Sequence, residues 1–284
     1  MTSFIPPLPD IVLEPIVRLA LSEDLGRAGD LTTDATIPAE TTMSVNIVGR
    51  KPGVVTGLDA ASLALRMIDS EVNLQIDTPD GASVEPGQIV ARLNGSARSI
   101  LTAERTMLNF MGRLSGIATL TREFVSRVEG SGARIVCTRK TTPGHRAVEK
   151  RAVRCGGGTS HRYGLDDAIM IKDNHIAACG SISEALKRAL DYAGHLRMVE
   201  IEVDTLAQLE TIIPLKPHAV LLDNMSCEDM SRAVDMVAGA FTTEASGGVN
   251  LDTVADIAAT GVDFISVGAL THSALNLDLG MDAA

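Results

Sequence analysis

The sequence predicts an α/β protein with a parallel sheet in its second half. Six short runs rich in aliphatic and β-branched residues recur at spacings of roughly 20 to 35 residues, which leaves room for one strand, one helix and two loops each. Helix start signals lie between them: Ser181 and Ser226 each precede an acid three positions later, as in a capping box, and Asp204 and Asn250 are further N-cap candidates. The runs begin at residues 134, 168, 198, 219, 241 and 264. Six such units form either a (β/α) barrel or an open doubly wound sheet, and the pattern alone leaves both open.

Residues 1 to about 130 show a different pattern. Helical periodicity at about 10–22 and 57–69 flanks a strand-like run at 44–50. The stretch 80–95 alternates short apolar runs with Gly and Pro, which predicts tight antiparallel turns. This half of the chain is therefore an α+β region.

A long helix is predicted from about residue 102 to 128, with Thr102 as its N-cap. Its apolar side chains recur at three- and four-residue steps, which is typical of a helix that packs one face on a core. They are Met107, Met111, Leu114, Ile117, Leu120, Phe124 and Val128. We expect this helix to connect the two domains.

The composition argues against a membrane protein and against a nucleic-acid binder. The 284 residues are 45% hydrophobic with a net charge of −11, and 2% are aromatic, which leaves little material for base stacking. Charged residues or Pro interrupt every apolar run before the roughly 18 residues that a membrane span needs. The N-terminus lacks the features of a secretory signal, so the cytoplasm is the expected location. The four cysteines are widely spaced, which indicates neither a zinc site nor a disulfide framework.

Each predicted strand ends in polar residues or glycine, at the edge where parallel sheets bind ligands. These segments are Thr138-Arg139-Lys140, Lys172 to His175, Glu200 to Asp204, Asp223-Asn224, Ser246-Gly247-Gly248 and Val267-Gly268-Ala269. Six polar strand ends together predict one ligand site. His175 is expected to fix its own loop, and the glycines at 156–158 either end a helix or admit a ligand.

Positive charge is concentrated between residues 139 and 162, where seven basic residues accompany the single acid Glu149. Arg139, Lys140 and Arg162 adjoin strand ends or the glycine run. Guanidinium and ammonium groups in such positions are suited to a small molecule with several negative charges. For Lys150 and Arg151 a solvated helix face is the favoured interpretation.

The two late glycine loops, 246–248 and 267–269, resemble the phosphate site that barrels form from their last loops. Glu202 and Asp223 lie at strand ends without a basic neighbour in sequence. They are candidates to hold Mg²⁺, accept from sugar hydroxyls or stabilise a developing cation.

These motifs resemble those of the quinolinate phosphoribosyltransferase family over essentially the whole chain. The most specific stretch is TRKTTPGHRAVEKRAVRCGGGTSHRYGLDDAIMIKDNH from residue 138. Further matches are LTAERTMLN from 101, EIEVDTL from 200, LLDN from 221, EASGG from 244 and VGALTHS from 267. His145 and Ser160 depart from the family pattern, where an aliphatic residue and Asn are common.

The resemblance implies an enzyme that condenses quinolinate with phosphoribosyl pyrophosphate to nicotinate mononucleotide, pyrophosphate and CO₂, with Mg²⁺ as cofactor. It implies that Arg139, His161, Arg162 and Lys172 hold the dicarboxylate. It also implies a homodimer, in which Arg105 reaches the site of the other subunit.

The resemblance implies that Lys140 contacts phosphoribosyl pyrophosphate or quinolinate, and Thr138, at the same strand end, is a further candidate for substrate binding. The resemblance places Glu202 and Asp223 by the ribose and its Mg²⁺, which they bind directly or indirectly. Ser246, Gly247 and Gly248, with Val267, Gly268 and Ala269, would receive the 5-phosphate. The catalytic residues are then Lys140, Lys172, Glu202 and Asp223.

The implied fold is an incomplete seven-stranded (β/α) barrel at residues 116–274, preceded by a sandwich-like α+β domain at 1–115, the architecture of type II phosphoribosyltransferases. Residues 275–284 are expected to pack back on the N-terminal domain. Two alternatives remain: a related phosphoribosyltransferase of different base specificity and a non-catalytic binder of a phosphate ligand. The basic cluster argues against a monocarboxylate base, and the acids Glu202 and Asp223 argue against a pure binder.

Overall fold

The computed structural model describes residues 5–284, which form two compact units. Unit 1 contains the chain up to Arg122 together with Thr141–Gly157 and Leu270–Ala284. Unit 2 contains Glu123–Lys140 and Gly158–Ala269. None of the described helices has the length and apolar character needed to cross a membrane.

The strands of unit 1 are β1 (Thr42–Gly49), β2 (Gly53–Val54), β3 (Asn73–Ile76), β4 (Ser83–Val84), β5 (Ile89–Ser96) and β12 (Leu279–Ala283). Four of them form an antiparallel sheet with the order β12-β1-β5-β3. The helices of this unit are α1 (Asp10–Leu25), α2 (Leu31–Thr36), α3 (Leu58–Ile68) and α5 (Arg146–Cys155). The last strand, β12, pairs with β1, and β2 with β4 forms a small second sheet. The α+β prediction for this part of the chain is confirmed.

The long helix α4 (Ala97–Arg127) begins five residues earlier than predicted. Strand β5 leads directly into it, and the Ser96 hydroxyl accepts from Ser99 N at 3.3 Å. The predicted cap was therefore wrong: Thr102 lies inside the helix and donates to Asp30 Oδ2 at 3.2 Å. The predicted apolar stripe is confirmed, since six of its seven members are buried and Leu120 is half-buried.

Unit 2 has six parallel strands, each at a run that the sequence predicted. They are β6 (Arg134–Val136), β7 (Ile169–Ile171), β8 (Val199–Val203), β9 (Ala219–Asp223), β10 (Thr242–Ser246) and β11 (Phe264–Ser266). The helices are α6 (Asp173–Cys179), α7 (Ile182–Ala193), α8 (Leu206–Ile212), α9 (Cys227–Val237) and α10 (Val254–Ala259), with a 3₁₀ turn at Ile213–Leu215. The short α11 (Ala269–His272) begins at the last residue of unit 2 and continues into unit 1.

The strand order β6-β11-β10-β9-β8-β7 decides between the two predicted architectures. The first and last strands of the unit are neighbours, as in a barrel and unlike a doubly wound sheet. On the other edge of β6, Thr159 N donates to Ile135 O at 2.8 Å and Cys137 N to Thr159 O at 3.1 Å. The family resemblance implied seven strands, whereas the described residues of this unit form six and, beside β6, this isolated bridge at Thr159. Unit 2 is thus an incomplete barrel, open between Thr159 and β7.

Ser181 and Ser226 cap their helices as predicted, since they accept from the amides of Glu184 and Asp229 at the starts of α7 and α9. Asn250 makes the bonds of a cap on the turn that leads into α10: its Oδ1 accepts from Asp252 N at 2.9 Å and from Thr253 N at 3.1 Å. Thr253, directly before α10, makes no side-chain cap bond. These bonds satisfy amides that the first turn of a helix leaves without a partner.

Candidate active site

The candidate site lies at the carboxyl ends of the parallel strands of unit 2. The strand register places Glu202 of β8 beside Leu221 of β9, and Asp223 of β9 beside Ser246 of β10. Side chains alternate between the two faces of a strand, and residues in register on parallel neighbours share a face. Glu202, Asp223 and Ser246 therefore point to the same side of the sheet.

Three carboxylates form an acid cluster, which we define as Glu202, Asp204 and Asp223. One oxygen of each carboxylate lies within 4.8 Å of one oxygen of each of the other two. Lys172 Nζ, from the end of β7, donates to Glu202 Oε2 at 2.8 Å. Asp204 was predicted to cap α8, and this was wrong: Thr205 accepts from Gln208 N as the cap, which leaves Asp204 in the cluster.

Two arginines of unit 2 carry buried nitrogen atoms that lack an acceptor. Within the described part of the chain, Nε of Arg139 and Nε of Arg162 are buried without a hydrogen-bond partner. Burial lowers the pKa of Arg162, and the positive charge of Arg139 lowers it further. Buried polar groups are almost always hydrogen-bonded. Two like charges with unused donors therefore indicate a site for an anion.

His161 is held between a backbone amide and two buried acids. Its Nδ1 accepts from Arg162 N at 2.8 Å, and its Nε2 lies 3.1 Å from Glu200 Oε2 and 3.5 Å from Glu244 Oε1. Since Nδ1 accepts, the ring proton is on Nε2 and faces the carboxylates. Burial, and then the charge of Glu200, raises the pKa of Glu244 to about 7. The ring is therefore fixed in one tautomer beside Arg162.

Four further residues considered in the sequence analysis are Arg105, Thr138, Lys140 and His175. Thr138 Oγ1 accepts from Lys140 N at 3.0 Å, which orders the loop after β6. Lys140 is exposed in unit 2, and Arg105 is exposed on α4 in unit 1. His175 fixes its loop as predicted, because Lys172 N donates to its Nδ1 at 3.0 Å.

The two glycine loops follow β10 and β11. Gly247 and Gly248 have φ of +92° and +61°, which gives the first loop a conformation that glycine adopts without strain. Val267 N donates to Val136 O at 3.0 Å, so the start of the second loop is tied to β6. Gly268 and Ala269 follow, at the start of α11.

The glycines at 156–158 have structural roles in unit 1 at their first two positions. A Cβ at Gly156 would collide with the Ala118 carbonyl and lie 2.6 Å from Thr121 Cβ, so this glycine lets α5 approach α4. Gly157 has φ +97° and follows the end of α5. Of the two alternatives for this run, helix termination is the one these positions support.

The basic run from 139 to 162 is divided between the two units. Arg139, Lys140 and Arg162 belong to unit 2, whereas the basic residues of α5 belong to unit 1. The solvated helix face expected for Lys150 and Arg151 is wrong, since they are 4% and 8% exposed. Their burial follows from the position of α5 inside unit 1, which a charge pattern does not reveal.

Both halves of the chain match models of one protein family. Residues 30–115 match the N-terminal domain of quinolinate phosphoribosyl transferase, and residues 117–282 match its C-terminal domain. The chain belongs to the quinolinate phosphoribosyltransferase family. The family resemblance stated from the motifs is thereby confirmed.

Individual relatives agree with this assignment. The chain is 45% identical over 271 residues to a nicotinate-nucleotide pyrophosphorylase [carboxylating] of Mycobacterium leprae, covering 94% of this chain and 95% of that one. A probable enzyme of the same name from Bacillus subtilis is 42% identical, with 95% and 93% covered. The solved structure of nicotinate-nucleotide pyrophosphorylase from Francisella tularensis has a TM-score of 0.94 at 37% identity, and the likeness covers 100% of both chains. The fold class is that of this quinolinate phosphoribosyltransferase structure.

The sequence placed Glu200, Asp204 and Asn224 only within the polar strand ends and gave them no role in the site, and it did not name Glu244 as a site residue. Glu244 had a usable signal, because it lies two residues before Ser246 in a predicted buried strand and so faces the same side. Asp204 bears the same relation to Glu202. The alternation rule applied along each strand, and not only at its end, finds both.

Proposed function

We propose that this chain transfers the phosphoribosyl group of phosphoribosyl pyrophosphate to quinolinate, with release of pyrophosphate and CO₂, to form nicotinate mononucleotide for de novo NAD synthesis. The observation that carries the proposal is the pair Arg139 and Arg162, whose buried Nε atoms lack an acceptor. Membership of the quinolinate phosphoribosyltransferase family supports it. Quinolinate is a pyridine dicarboxylate, and its carboxylates are suitable acceptors for two adjacent guanidinium groups.

Quinolinate is held by Arg139 and Arg162, with Lys172 as a further cation. His161 is fixed beside Arg162, because its Nδ1 accepts from the Arg162 amide and its Nε2 lies 3.1 Å from Glu200 Oε2. Arg105 is the partner subunit's contribution to this pocket in the proposed homodimer. The cations offset the two negative charges of the substrate, which no neutral pocket would do.

Phosphoribosyl pyrophosphate is held at the other strand ends. Thr138 orders the Lys140 loop, and Lys140 supplies a positive charge. The backbone amides of the loops at Ser246–Gly248 and Val267–Ala269 receive the 5-phosphate, a use of loop amides that is general for phosphate sites.

The acid cluster fits Mg²⁺. This ion prefers hard oxygen ligands and usually binds through one or two carboxylates together with substrate phosphates. Glu202 and Asp223 would hold it, with Asp204 completing the set of oxygens within 4.8 Å. When bound, Mg²⁺ would neutralise charge on the pyrophosphate that leaves.

The chain's own residues stabilise the charge that develops at the anomeric carbon. As the bond to pyrophosphate breaks, this carbon gains oxocarbenium character, and Glu202 and Asp223 are the carboxylates that stabilise it. Lys172, paired with Glu202 at 2.8 Å, holds that carboxylate in place. The quinolinate nitrogen then attacks the anomeric carbon and completes the transfer.

Decarboxylation follows from the transfer itself. Once the ring nitrogen is ribosylated it is cationic, so it accepts the electron pair left on the adjacent carbon when that carboxylate departs as CO₂. A proton then replaces CO₂ on that carbon. No organic cofactor is required for this step.

The test is incubation of the protein with quinolinate, phosphoribosyl pyrophosphate and Mg²⁺, with separate measurement of CO₂ and nicotinate mononucleotide. We expect the two products in equal amounts and no turnover of nicotinate. Turnover of nicotinate instead would assign the chain a different base specificity. Binding of phosphoribosyl pyrophosphate without turnover of either base would make it a binder.

The homodimer has a separate test in subunit mixing. Arg105→Ala and Lys172→Ala are each expected to be inactive, because each site then lacks one cation. If Arg105 acts in the partner's site, mixed dimers keep one complete site, and random exchange of subunits restores about one quarter of wild-type activity. No recovery after proven subunit exchange would show that Arg105 serves its own chain.

The cytoplasm is the location that suits this reaction. Phosphoribosyl pyrophosphate carries several negative charges and does not cross a membrane unaided. An enzyme that consumes it is therefore expected where it is made.

A further inference from the structure

Asn224 stands in an unusual backbone conformation at the end of β9. Its φ is +55°, in the left-handed region that non-glycine residues seldom occupy. Asn is among the few residues that tolerate this conformation. Such a conformation close to a site is a reason to ask what it positions.

The contacts of Asn224 run in two directions. Its Nδ2 donates to Asp223 Oδ2 at 2.6 Å, and its backbone N donates to Ser246 O at 2.9 Å. The first contact orients a carboxylate of the acid cluster. The second joins the end of β9 to the end of β10, where the glycine loop begins.

The glycine loop also packs against this side chain. A Cβ added to Gly247 would lie 2.5 Å from Asn224 Cγ and closer still to Oδ1, and its φ is +92°. The absence of a side chain at Gly247 is therefore what allows the Asn224 amide to occupy its place. One amide group thus lies between a carboxylate on one side and the loop backbone on the other.

We propose that Asn224 is a positioning residue that sets the Asp223 carboxylate and the Gly247 backbone in one arrangement. The inference rests on the proposed function, in which Asp223 serves the ribose and its Mg²⁺ and the Gly247 loop receives the 5-phosphate. Two parts of phosphoribosyl pyrophosphate are then ordered by a single side chain. Asp in its place would lose the donor and set a second negative charge beside Asp223.

Asn224→Gly separates the effect of the Asn224 side chain from the effect of its backbone conformation. Glycine adopts φ +55° without strain, so this variant removes the amide and leaves the loop conformation accessible. We expect the KM for phosphoribosyl pyrophosphate and the Mg²⁺ concentration for half-maximal rate to rise about 10-fold, because the loss of one charge-assisted hydrogen bond has an effect of this size. The KM for quinolinate should change less than about twofold. Calorimetric titration without turnover should show that the Kd for phosphoribosyl pyrophosphate rises by the same factor.

Ala238→Gly is the matched control. Ala238 lies at the end of α9, away from the site, and has φ +47°. The control therefore also replaces a non-glycine residue with positive φ by glycine. It should leave all three kinetic parameters unchanged. An equal loss of quinolinate and phosphoribosyl pyrophosphate affinity in Asn224→Gly, accompanied by a lower Tm, would overturn the positioning role in favour of a structural one.

A second variant tests the contact itself. Gly247→Ala should weaken phosphoribosyl pyrophosphate binding by at least about 30-fold, since the new methyl group takes the place of the amide. In the Asn224→Gly background the same change should cost about fivefold, because the collision with the side chain is gone, whereas the 2.9 Å approach to the backbone N of residue 224 and the positive φ of Gly247 remain. Full additivity of the two changes would contradict the inference.

The two proposals fail in distinguishable ways. If the wild-type protein neither binds phosphoribosyl pyrophosphate nor turns it over with quinolinate, the proposed function fails. If the wild type is active and Asn224→Gly has wild-type parameters, the role of Asn224 alone fails.

Discussion

Arginines with buried guanidinium nitrogens have opposite surroundings in the two units. In unit 1, Arg151 is 8% exposed and lies 2.6 Å from Asp80 and 3.4 Å from Asp59. Its Nε also donates to Pro6 O at 3.1 Å. In unit 2, Nε of Arg139 and Nε of Arg162 are buried without an acceptor in the described part of the chain. All three belong to the same basic run of the sequence.

The difference separates structure from function. A buried cation whose donors are satisfied by the protein contributes to holding that protein together. Buried donors without acceptors destabilise the fold unless something else supplies the acceptor. Charge counting along the sequence cannot make this distinction, because it depends on which acids the fold brings to each arginine.

The largest effect is expected at Arg151, and it is on stability. Arg151→Met keeps the length of the side chain but leaves Asp59 and Asp80 buried without a cation. We expect the free energy of unfolding to fall by about 3–5 kcal/mol, the usual cost of removing one partner of a buried ion pair. Urea unfolding checks this, and kcat/KM per folded enzyme should stay within about threefold of wild type.

Adding Asp59→Asn and Asp80→Asn to Arg151→Met is the control. Burial raises the pKa of Asp80 more than the charge of Arg151 lowers it, so this carboxylate is costly without its cation. The triple variant should recover part of the lost stability. If the single variant is as stable as wild type, the pair is not what holds this part of unit 1 together.

The next effect is at Arg139, and it is on activity. Arg139→Ala should lower kcat/KM for quinolinate about 100-fold, or about 3 kcal/mol, because a preorganised contact to the anion is lost. The Tm should change little, since none of the acceptors described in the structure loses its donor. Steady-state kinetics and thermal unfolding measure the two quantities. Wild-type kinetics would exclude Arg139 from the site.

A third prediction concerns Glu244, which is buried beside Glu200 in unit 2. Its folded pKa is raised from 4.5 to about 7, so the folded state holds a proton that the unfolded state has lost over this range. Stability is therefore full below about pH 4.5 and falls as the pH rises to about 7.

Glu244→Gln removes this titration. Relative to wild type, the variant should gain about 3 kcal/mol of unfolding free energy between about pH 4.5 and about pH 8, because a shift of one pKa unit corresponds to about 1.4 kcal/mol. Urea unfolding at both pH values measures the gain. A constant difference between the two proteins would show that Glu244 does not titrate in this range.

The smallest effect is expected at Ser181, whose exposed hydroxyl caps α7 in unit 2. Ser181→Ala removes the hydroxyl that accepts from Glu184 N at 3.3 Å and should cost about 1 kcal/mol of stability. Kinetics should be unchanged, which shows that the site is insensitive to a small loss of stability in its own unit. A change in KM for either substrate would mean that α7 positions the site.

Much of the fold was predictable because its signals are local. Apolar runs at regular spacing gave all six strands of unit 2, and Ser181 and Ser226 marked their helices. The start of α4 was not predictable, because β5 enters the helix without a break and Ser96, not Thr102, lies at its start. The choice of a barrel depended on the pairing of β6 with β11, which joins residues far apart in sequence.

The site divides in the same way. Glu202 and Asp223 lie at the ends of β8 and β9, and Lys172 directly follows β7, all strands that the sequence reveals. Whether the Nε atoms of Arg139 and Arg162 find an acceptor depends on neighbours from other strands. The contacts of Asn224 depend on such neighbours too. Such features arise only when the strands are in register, so they required the structure.

Calorimetric titration of quinolinate tests the central claim most directly, because it measures binding of the anion apart from turnover. Wild type and Arg151→Met, at a temperature where both are folded, should bind quinolinate with the same Kd. Arg139→Ala and Arg162→Ala should each bind it at least about 100-fold more weakly. Equal affinity in all four proteins would show that the unpaired guanidinium nitrogens are not the anion site.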